Sequence, residues 1–126
     1  MKLKVFLVED NADARFLLAC VLEAAGHEVR VAGTMQAALH DFAQWRGDVL
    51  ICDIGLPDGS GWELLRELRR RGESPYAIAM SGFGQSDDIA ASLDAGFRHH
   101  LVKPIEADLL ERLIEVARVE RDAGSE

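Results

Sequence analysis

The segment Val49-Leu50-Ile51-Cys52-Asp53-Ile54-Gly55-Leu56-Pro57-Asp58-Gly59-Ser60-Gly61 constrains this chain more than any other. Four apolar residues run straight into a carboxylate, and a loop with three glycines and one proline follows. So short a fully apolar run suits a strand buried on both faces, as in a parallel sheet covered by helices. Asp53 then stands at the carboxyl end of that strand, where open α/β sheets bind ligands. Aspartate is also a common turn residue, so on this stretch alone Asp53 is equally well read as a turn cap.

Strand-like and helix-like patterns alternate along the whole chain, with no internal repeat and no low-complexity linker. Leu3 to Val8 reads as a strand. From about Asn11 to Ala25, the residues Ala14, Leu17, Leu18, Val21, Leu22 and Ala25 recur on one helical face, and Gly26 supplies a left-handed stop. His27 to Ala32 is a second strand, with Val29 and Val31 alternating against charged neighbours as on a sheet edge. Thr34 is placed to cap a helix carrying Met35, Ala38, Leu39 and Phe42 inward, and Gly47 ends it before the strand at Val49 to Cys52.

A third helix, about Trp62 to Arg71, turns Leu64, Leu65 and Leu68 inward and is followed by Gly72. Tyr76 to Met80 is a fourth strand, Ser86 to Ala95 a helix rich in small residues and closed by Gly96, and Arg98 to Val102 a fifth strand. The last helix, about Ala107 to Val119, is amphipathic through Leu109, Leu110, Leu113, Ile114, Val116 and Ala117. Glu120 to Glu126 is polar and expected to fray, which leaves a core of about residues 3–119. Five strand–helix units with short connections predict an α/β fold, a mostly parallel five-stranded sheet with helices on both faces. At 126 residues the chain is a single domain, for which the flavodoxin-like, doubly wound strand order 2-1-3-4-5 is the natural choice.

Composition narrows the function. A net charge of −8 repels phosphate backbones, which argues against direct nucleic-acid binding. The one basic run, Arg69-Arg70-Arg71, closes a predicted helix and complements its dipole. No stretch is long and apolar enough for a membrane segment, and Met1-Lys2-Leu3-Lys4 leads into too few apolar residues for a signal peptide, so a cytoplasmic location is expected. Cys20 and Cys52 sit inside apolar patterns without ligand-like spacing and are expected as buried free thiols.

The strand ends then settle the ambiguity at Asp53. Strand one ends in Glu9-Asp10, strand three in Asp53, strand four in Ser81 and strand five in Lys103, all on one edge of a parallel sheet. Three carboxylates together repel one another and need raised pKa values or a cation. Oxygen-only ligands favour a hard ion such as a partly hydrated Mg²⁺. A lysine and a serine hydroxyl opposite them can hold an anion, so the group forms a cradle for a phosphoryl group. Asp53 is its plausible nucleophile, forming an aspartyl phosphate.

The motifs Val8-Glu9-Asp10, Asp53 followed by Leu56-Pro57 and Gly61, Ser81-Gly82, and Lys103-Pro104 resemble the receiver domain of two-component response regulators over about residues 3–119. The resemblance implies the CheY-like version of the fold and a phosphoacceptor role for Asp53. It also implies Mg²⁺ (or Mn²⁺) bound by Asp10, Asp53 and the Gly55 backbone carbonyl, with Glu9 acting through a water. By the same resemblance Ser81 follows the phosphoryl group, Lys103 pairs with it, and the Lys103–Pro104 bond is cis. Gly55 and Phe83 would flank the phosphoryl group as modulators of its hydrolysis, neither assisting it directly.

Receivers usually carry an aromatic residue where this chain has His100, the implied switch side chain that turns inward with Ser81. With a reference pKa of about 6.5, a histidine there invites a pH-sensitive switch. Adjacent strand residues point to opposite faces, so His99-His100 is not read as a metal pair. Ile105, in place of the more usual aromatic after the proline, is read as a packing variation.

The implied function is that of a phosphoacceptor in a phosphorelay, not an enzyme beyond slow self-phosphorylation from small phosphodonors and self-dephosphorylation. The implied partners are a histidine kinase or histidine phosphotransfer protein and a downstream protein effector, reached through the face of the fourth helix, fifth strand and fifth helix. A phosphorylation-dependent dimer is compatible with this. Asp-Ile-Gly-Leu-Pro and Gly-Phe-Arg-His-His-Leu-Val-Lys-Pro resemble receivers of hybrid histidine kinases, so a single-domain regulator and a piece of such a kinase both stand. The rival reading is a Mg²⁺-dependent phosphatase working through an aspartyl phosphate. Such enzymes carry a second aspartate two residues after the nucleophile, where this chain has Gly55.

Overall fold

Val49, Leu50, Ile51 and Cys52 are all wholly buried, and their side chains divide between two hydrophobic layers. Leu50 and Cys52 join Phe6, Val8, Phe42, Leu64, Leu65 and Leu68 on one face of the sheet. Val49 and Ile51 join Val5, Leu7, Leu22, Ile78, Leu110 and Ile114 on the other. A strand covered on both sides by helices has no solvent face, which is why its sequence shows no alternation.

The computed structural model describes residues 2–82 and 86–124. In chain order its elements are β1 (Lys4–Val8), α1 (Ala12–Ala24), β2 (Glu28–Ala32), α2 (Met35–Trp45) and β3 (Val49–Asp53). There follow β4 (Gly55–Leu56), β5 (Gly59–Ser60), α3 (Gly61–Arg70), β6 (Tyr76–Ser81), α4 (Ser86–Ala95), β7 (His99–Val102) and α5 (Ala107–Gly124). The main sheet has five strands in the order β2-β1-β3-β6-β7, all neighbours parallel. Counting only its own strands, this is the expected order 2-1-3-4-5. No helix among the described residues is long and apolar enough to cross a membrane.

Local signals act where the side chains require. Asn11, Thr34 and Ser60 each accept a backbone N–H at a helix start, from Ala14, Ala37 and Glu63. Gly26, Gly72 and Gly96 end α1, α3 and α4 with positive φ. At α2 the left-handed position falls instead on Arg46, at φ 57°. Gly47 serves a different purpose, since a Cβ there would lie 3.3 Å from the Lys4 carbonyl, the Phe6 Cβ and the Trp45 ring.

Other expectations need correction. Cys20 is exposed, as are Leu17 (64%) and Ala25, because α1 turns Leu18, Ala19, Val21 and Leu22 to the sheet and leaves the neighbouring stripe in solvent. Val116 is likewise 40% exposed on α5. That helix does not fray after Val119 but runs to Gly124. Ion pairs of Glu120 with Arg98 and of Arg121 with Asp48 hold its later turns, and Glu120 also accepts a hydrogen bond from the Tyr76 hydroxyl. The loop after β3 closes on itself as the small antiparallel pair β4–β5, which no alternation in the sequence announces. Phe83 lies outside the described residues.

Candidate functional site

Strand register brings the chemistry together. Val8 pairs with Cys52, so Glu9 and Asp53 each stand one step beyond that pair on adjacent strands. Ser81 pairs with Val102, and the Lys103 N–H donates to the Ser81 carbonyl at 2.8 Å, which fixes Lys103 at the same edge. The Ile54 N–H donates to Met80 at 2.9 Å and the Glu9 N–H to Ala32 at 3.1 Å, so backbone bonds tie each strand end to its neighbour.

The Lys103 ammonium donates to Asp53 Oδ2 at 2.5 Å and to Glu9 Oε1 at 2.6 Å. Glu9 is wholly buried and Asp53 nearly so, whereas Asp10 is exposed. Partial burial disfavours the charge on Lys103, but the hydrogen bonds and charges of Asp53 and Glu9 outweigh it and raise the lysine pKa. The second oxygen of each carboxylate is also engaged: Asp53 Oδ1 accepts the Gly55 N–H at 3.0 Å, and Glu9 Oε2 accepts the Asn11 N–H at 3.0 Å. Burial first, then the charges of Asp53 and Glu9, push the neighbouring Cys52 thiol well above its ordinary pKa.

Glu9, Asp10 and Asp53 each offer a carboxylate oxygen, and these oxygens lie within 4.8 Å of one another. An all-oxygen set of this charge fits a hard divalent cation. Lys103 already neutralises part of that charge, and a cation bound there would share the same anionic cluster. The peptide bond joining Lys103 to Pro104 is cis.

The loop leaving Asp53 is held from both ends. Gly61 opens α3 against the strand end: a Cβ there would meet the Asp53 carbonyl at 2.7 Å, Cys52 Sγ at 3.1 Å and the Ile54 Cα at 3.1 Å. Asp58 reaches across to α2, where its carboxylate accepts the N–H groups of Met35 (2.7 Å) and Gln36 (3.0 Å). Sequence reasoning assigned Asp58 nothing. Those two backbone bonds hold its carboxyl below the usual range.

His99 and His100 diverge as strand neighbours should: His99 Nε2 meets the Tyr76 hydroxyl at 2.9 Å, while His100 turns toward the site edge. His100 Nε2 lies 2.7 Å from Ser81 Oγ, and Nδ1 lies 2.8 Å from Ser92 Oγ on α4. Ser92, itself wholly buried, also accepts the Trp62 indole N–H at 2.9 Å. Neither Ser92 nor Trp62 was marked by the sequence. Their contacts are tertiary, and no local pattern in the sequence announces them.

The family model for the response regulator receiver domain matches residues 5–115. The chain is 39% identical over 113 residues to the KDP operon transcriptional regulatory protein KdpE of Escherichia coli, a match covering 90% of this chain and 50% of that protein. It therefore spans about half the length of that relative. It is 30% identical over 110 residues to the sensor protein EvgS of Escherichia coli, covering 87% of this chain and 9% of that one. Among solved structures, the N-terminal domain of an uncharacterized protein from Wolinella succinogenes superimposes with a TM-score of 0.88 at 32% identity, covering 97% of this chain and 98% of that one. With the acidic cluster, the lysine and the sheet order in place, the chain belongs to the response regulator receiver domain family.

Proposed function

We propose that this domain is a phosphoacceptor module in which Asp53 takes a phosphoryl group from a phosphohistidine of a histidine kinase or phosphotransfer protein. The observation that carries this is the Asp53 carboxylate, held at the end of the central strand between the Lys103 ammonium and the carboxylates of Glu9 and Asp10. Asp53 Oδ2 attacks phosphorus, the P–N bond breaks, and the imidazole leaves with its electron pair and is protonated. Oδ1 accepts the Gly55 N–H and Oδ2 the Lys103 ammonium, so Oδ2 attacks as Lys103 shifts toward the phosphoryl group.

Asp10, Asp53 and the Gly55 carbonyl would hold a Mg²⁺ (or Mn²⁺) ion, with Glu9 acting through a water, and the ion would supply the charge neutralisation this transfer needs. Lys103 passes from Asp53 Oδ2 to a phosphoryl oxygen, and Ser81 donates to another. The change at Ser81 and His100 then reaches α4, β7 and α5. Exposed Leu93, Val102, Val116 and Val119 give each of these three elements apolar surface for a protein effector or a second phosphorylated copy. The domain works in the cytoplasm, as a single-domain regulator or as the receiver of a hybrid sensor kinase.

Incubation with Mg²⁺ and acetyl phosphate, followed by intact mass measurement, tests the reading. A single acid-stable, base-labile phosphate adduct that vanishes in Asp53→Asn is the expected result. Turnover of the phosphodonor without a stoichiometric adduct would contradict it.

A further inference from the structure

We propose that Asp58 is a positioning residue for the divalent cation, a role that rests on the phosphoacceptor reading of Asp53. By clamping the β4–β5 pair to the start of α2, Asp58 fixes the Gly55 carbonyl and couples cation binding to α2.

Gly55 cannot fix itself. It is exposed, and apart from its chain neighbours only Asp53 Oδ1 would come near a Cβ there, at 3.9 Å. Glycine has the widest backbone freedom of any residue, so the chain on either side must set the direction of its carbonyl. On one side the Gly55 N–H donates to Asp53 Oδ1 at 3.0 Å. On the other the chain folds back at once, with Gly55 paired to Ser60 and Leu56 to Gly59. A lone pair of strands is marginal at best in water, and this one is very short. It needs a hold at its tip, the turn at Pro57-Asp58.

Asp58 supplies that hold. Its two carboxylate oxygens each take one backbone N–H, Oδ1 from Met35 at 2.7 Å and Oδ2 from Gln36 at 3.0 Å. Those N–H groups open α2 and have no partner inside the helix. The first turn of α2 carries no acidic residue, so Asp58 also brings the negative charge that this end of the helix favours. Thr34 caps only the next N–H, that of Ala37. Gly59 lets the hairpin lie close to the same helix, since a Cβ there would stand 2.7 Å from Met35 Sδ. The base of the hairpin is anchored separately, where the Gly61 N–H donates to the Ile54 carbonyl at 3.0 Å.

Calorimetric titration of the full chain with Mg²⁺, without phosphodonor, tests the clamp. Asp58→Ala should raise the dissociation constant about threefold to tenfold, short of the roughly tenfold to hundredfold typical where the lost group touches a ligand directly. Asp58→Asn loses the same charge but keeps one acceptor oxygen, so its constant should fall between those of the parent and Asp58→Ala. Equal weakening in the two variants would assign the effect to charge alone and overturn the clamp. Thr34→Ala removes the other cap of α2 without touching the loop. It should lower the thermal midpoint yet leave Mg²⁺ affinity unchanged. Weakening by Thr34→Ala as large as that by Asp58→Ala would make general stability of α2 the cause, and would also overturn the proposal.

Coupling is reciprocal, so saturating Mg²⁺ should slow hydrogen exchange at the Met35 and Gln36 amides of the parent. Exchange there that ignores Mg²⁺ would overturn the coupling. A parent protein that binds no Mg²⁺ would overturn the reading of the Asp53 site, and the clamp with it. A parent that binds Mg²⁺ with the same constant as Asp58→Ala would overturn the clamp alone, so the two failures are distinguishable.

Discussion

The Lys103 ammonium stands 2.5 Å from Asp53 Oδ2, and its contact with Glu9 makes one cation serve two shielded carboxylates. Removing a partner from a buried pair costs about 3–5 kcal/mol, because the remaining charge is left unpaired. Lys103 is itself about a third exposed, so water screens the pair and the expected loss for Lys103→Met is about 1–3 kcal/mol. Urea unfolding at neutral pH checks this. Asp53→Asn added to Lys103→Met should recover part of the loss, since it removes one of the two stranded charges. Unchanged midpoints in both variants would show that the pair contributes nothing.

Tyr76 offers a spectroscopic probe because the chain has one tyrosine. Burial first, and then its hydrogen bond to Glu120, raise its pKa from 10.0 to about 12. The folded state favours the neutral phenol, so this contribution to stability is complete below pH 10 and is lost as the pH rises through about 12. Tyrosinate absorbance should therefore titrate near pH 12 in the folded protein. Glu120→Gln should move the midpoint part of the way toward 10, leaving the share due to burial. A midpoint already at 10 would mean that the end of α5 does not cover Tyr76.

The two cysteines should differ sharply in reactivity. Cys20 is exposed on α1, while Cys52 is wholly buried with its thiol pKa pushed up by burial and by Asp53 and Glu9. Thiolate is the reactive species, so an alkylating reagent should modify Cys20 alone in the native protein and both thiols in urea. Two modified thiols under native conditions would contradict the packing around β3.

These same residues show what a sequence can and cannot disclose. Asp53, Glu9 and Lys103 were legible because parallel strands deliver their last residues to one edge, so spacing in the chain becomes proximity in space. Thr34 was legible because a capping residue acts on the N–H groups just after it. Cys20 and Leu17 were misread because a helix with apolar residues on more than one stripe does not reveal which stripe faces the sheet. Arg46 could not be foreseen in a left-handed position, since the close approach of Gly47 to β1 is tertiary. Ser92 and Trp62 were invisible for the same reason. Their bond spans 30 positions, and nothing local to either residue calls for a partner.

Gly61 and Gly55 flank the Asp53 loop, and substitution by alanine should separate them. At Gly61 a Cβ would sit 2.7 Å from the Asp53 carbonyl and 3.1 Å from the Ile54 Cα, both backbone atoms that cannot turn aside. Alanine in a helix gains at most about 1 kcal/mol over glycine, and less in the first turn. Overpacking against backbone costs about 1–3 kcal/mol, so the steric effect wins and Gly61→Ala should destabilise. The atom displaced is the carbonyl of Asp53 itself, so the phosphate adduct should also form more slowly. At Gly55 the nearest atom to a Cβ is Asp53 Oδ1 at 3.9 Å, an ordinary contact. Gly55→Ala should therefore unfold within about 0.5 kcal/mol of the parent. Equal urea midpoints for the two variants would mean that α3 is not packed against the end of β3 as closely as Gly61 implies.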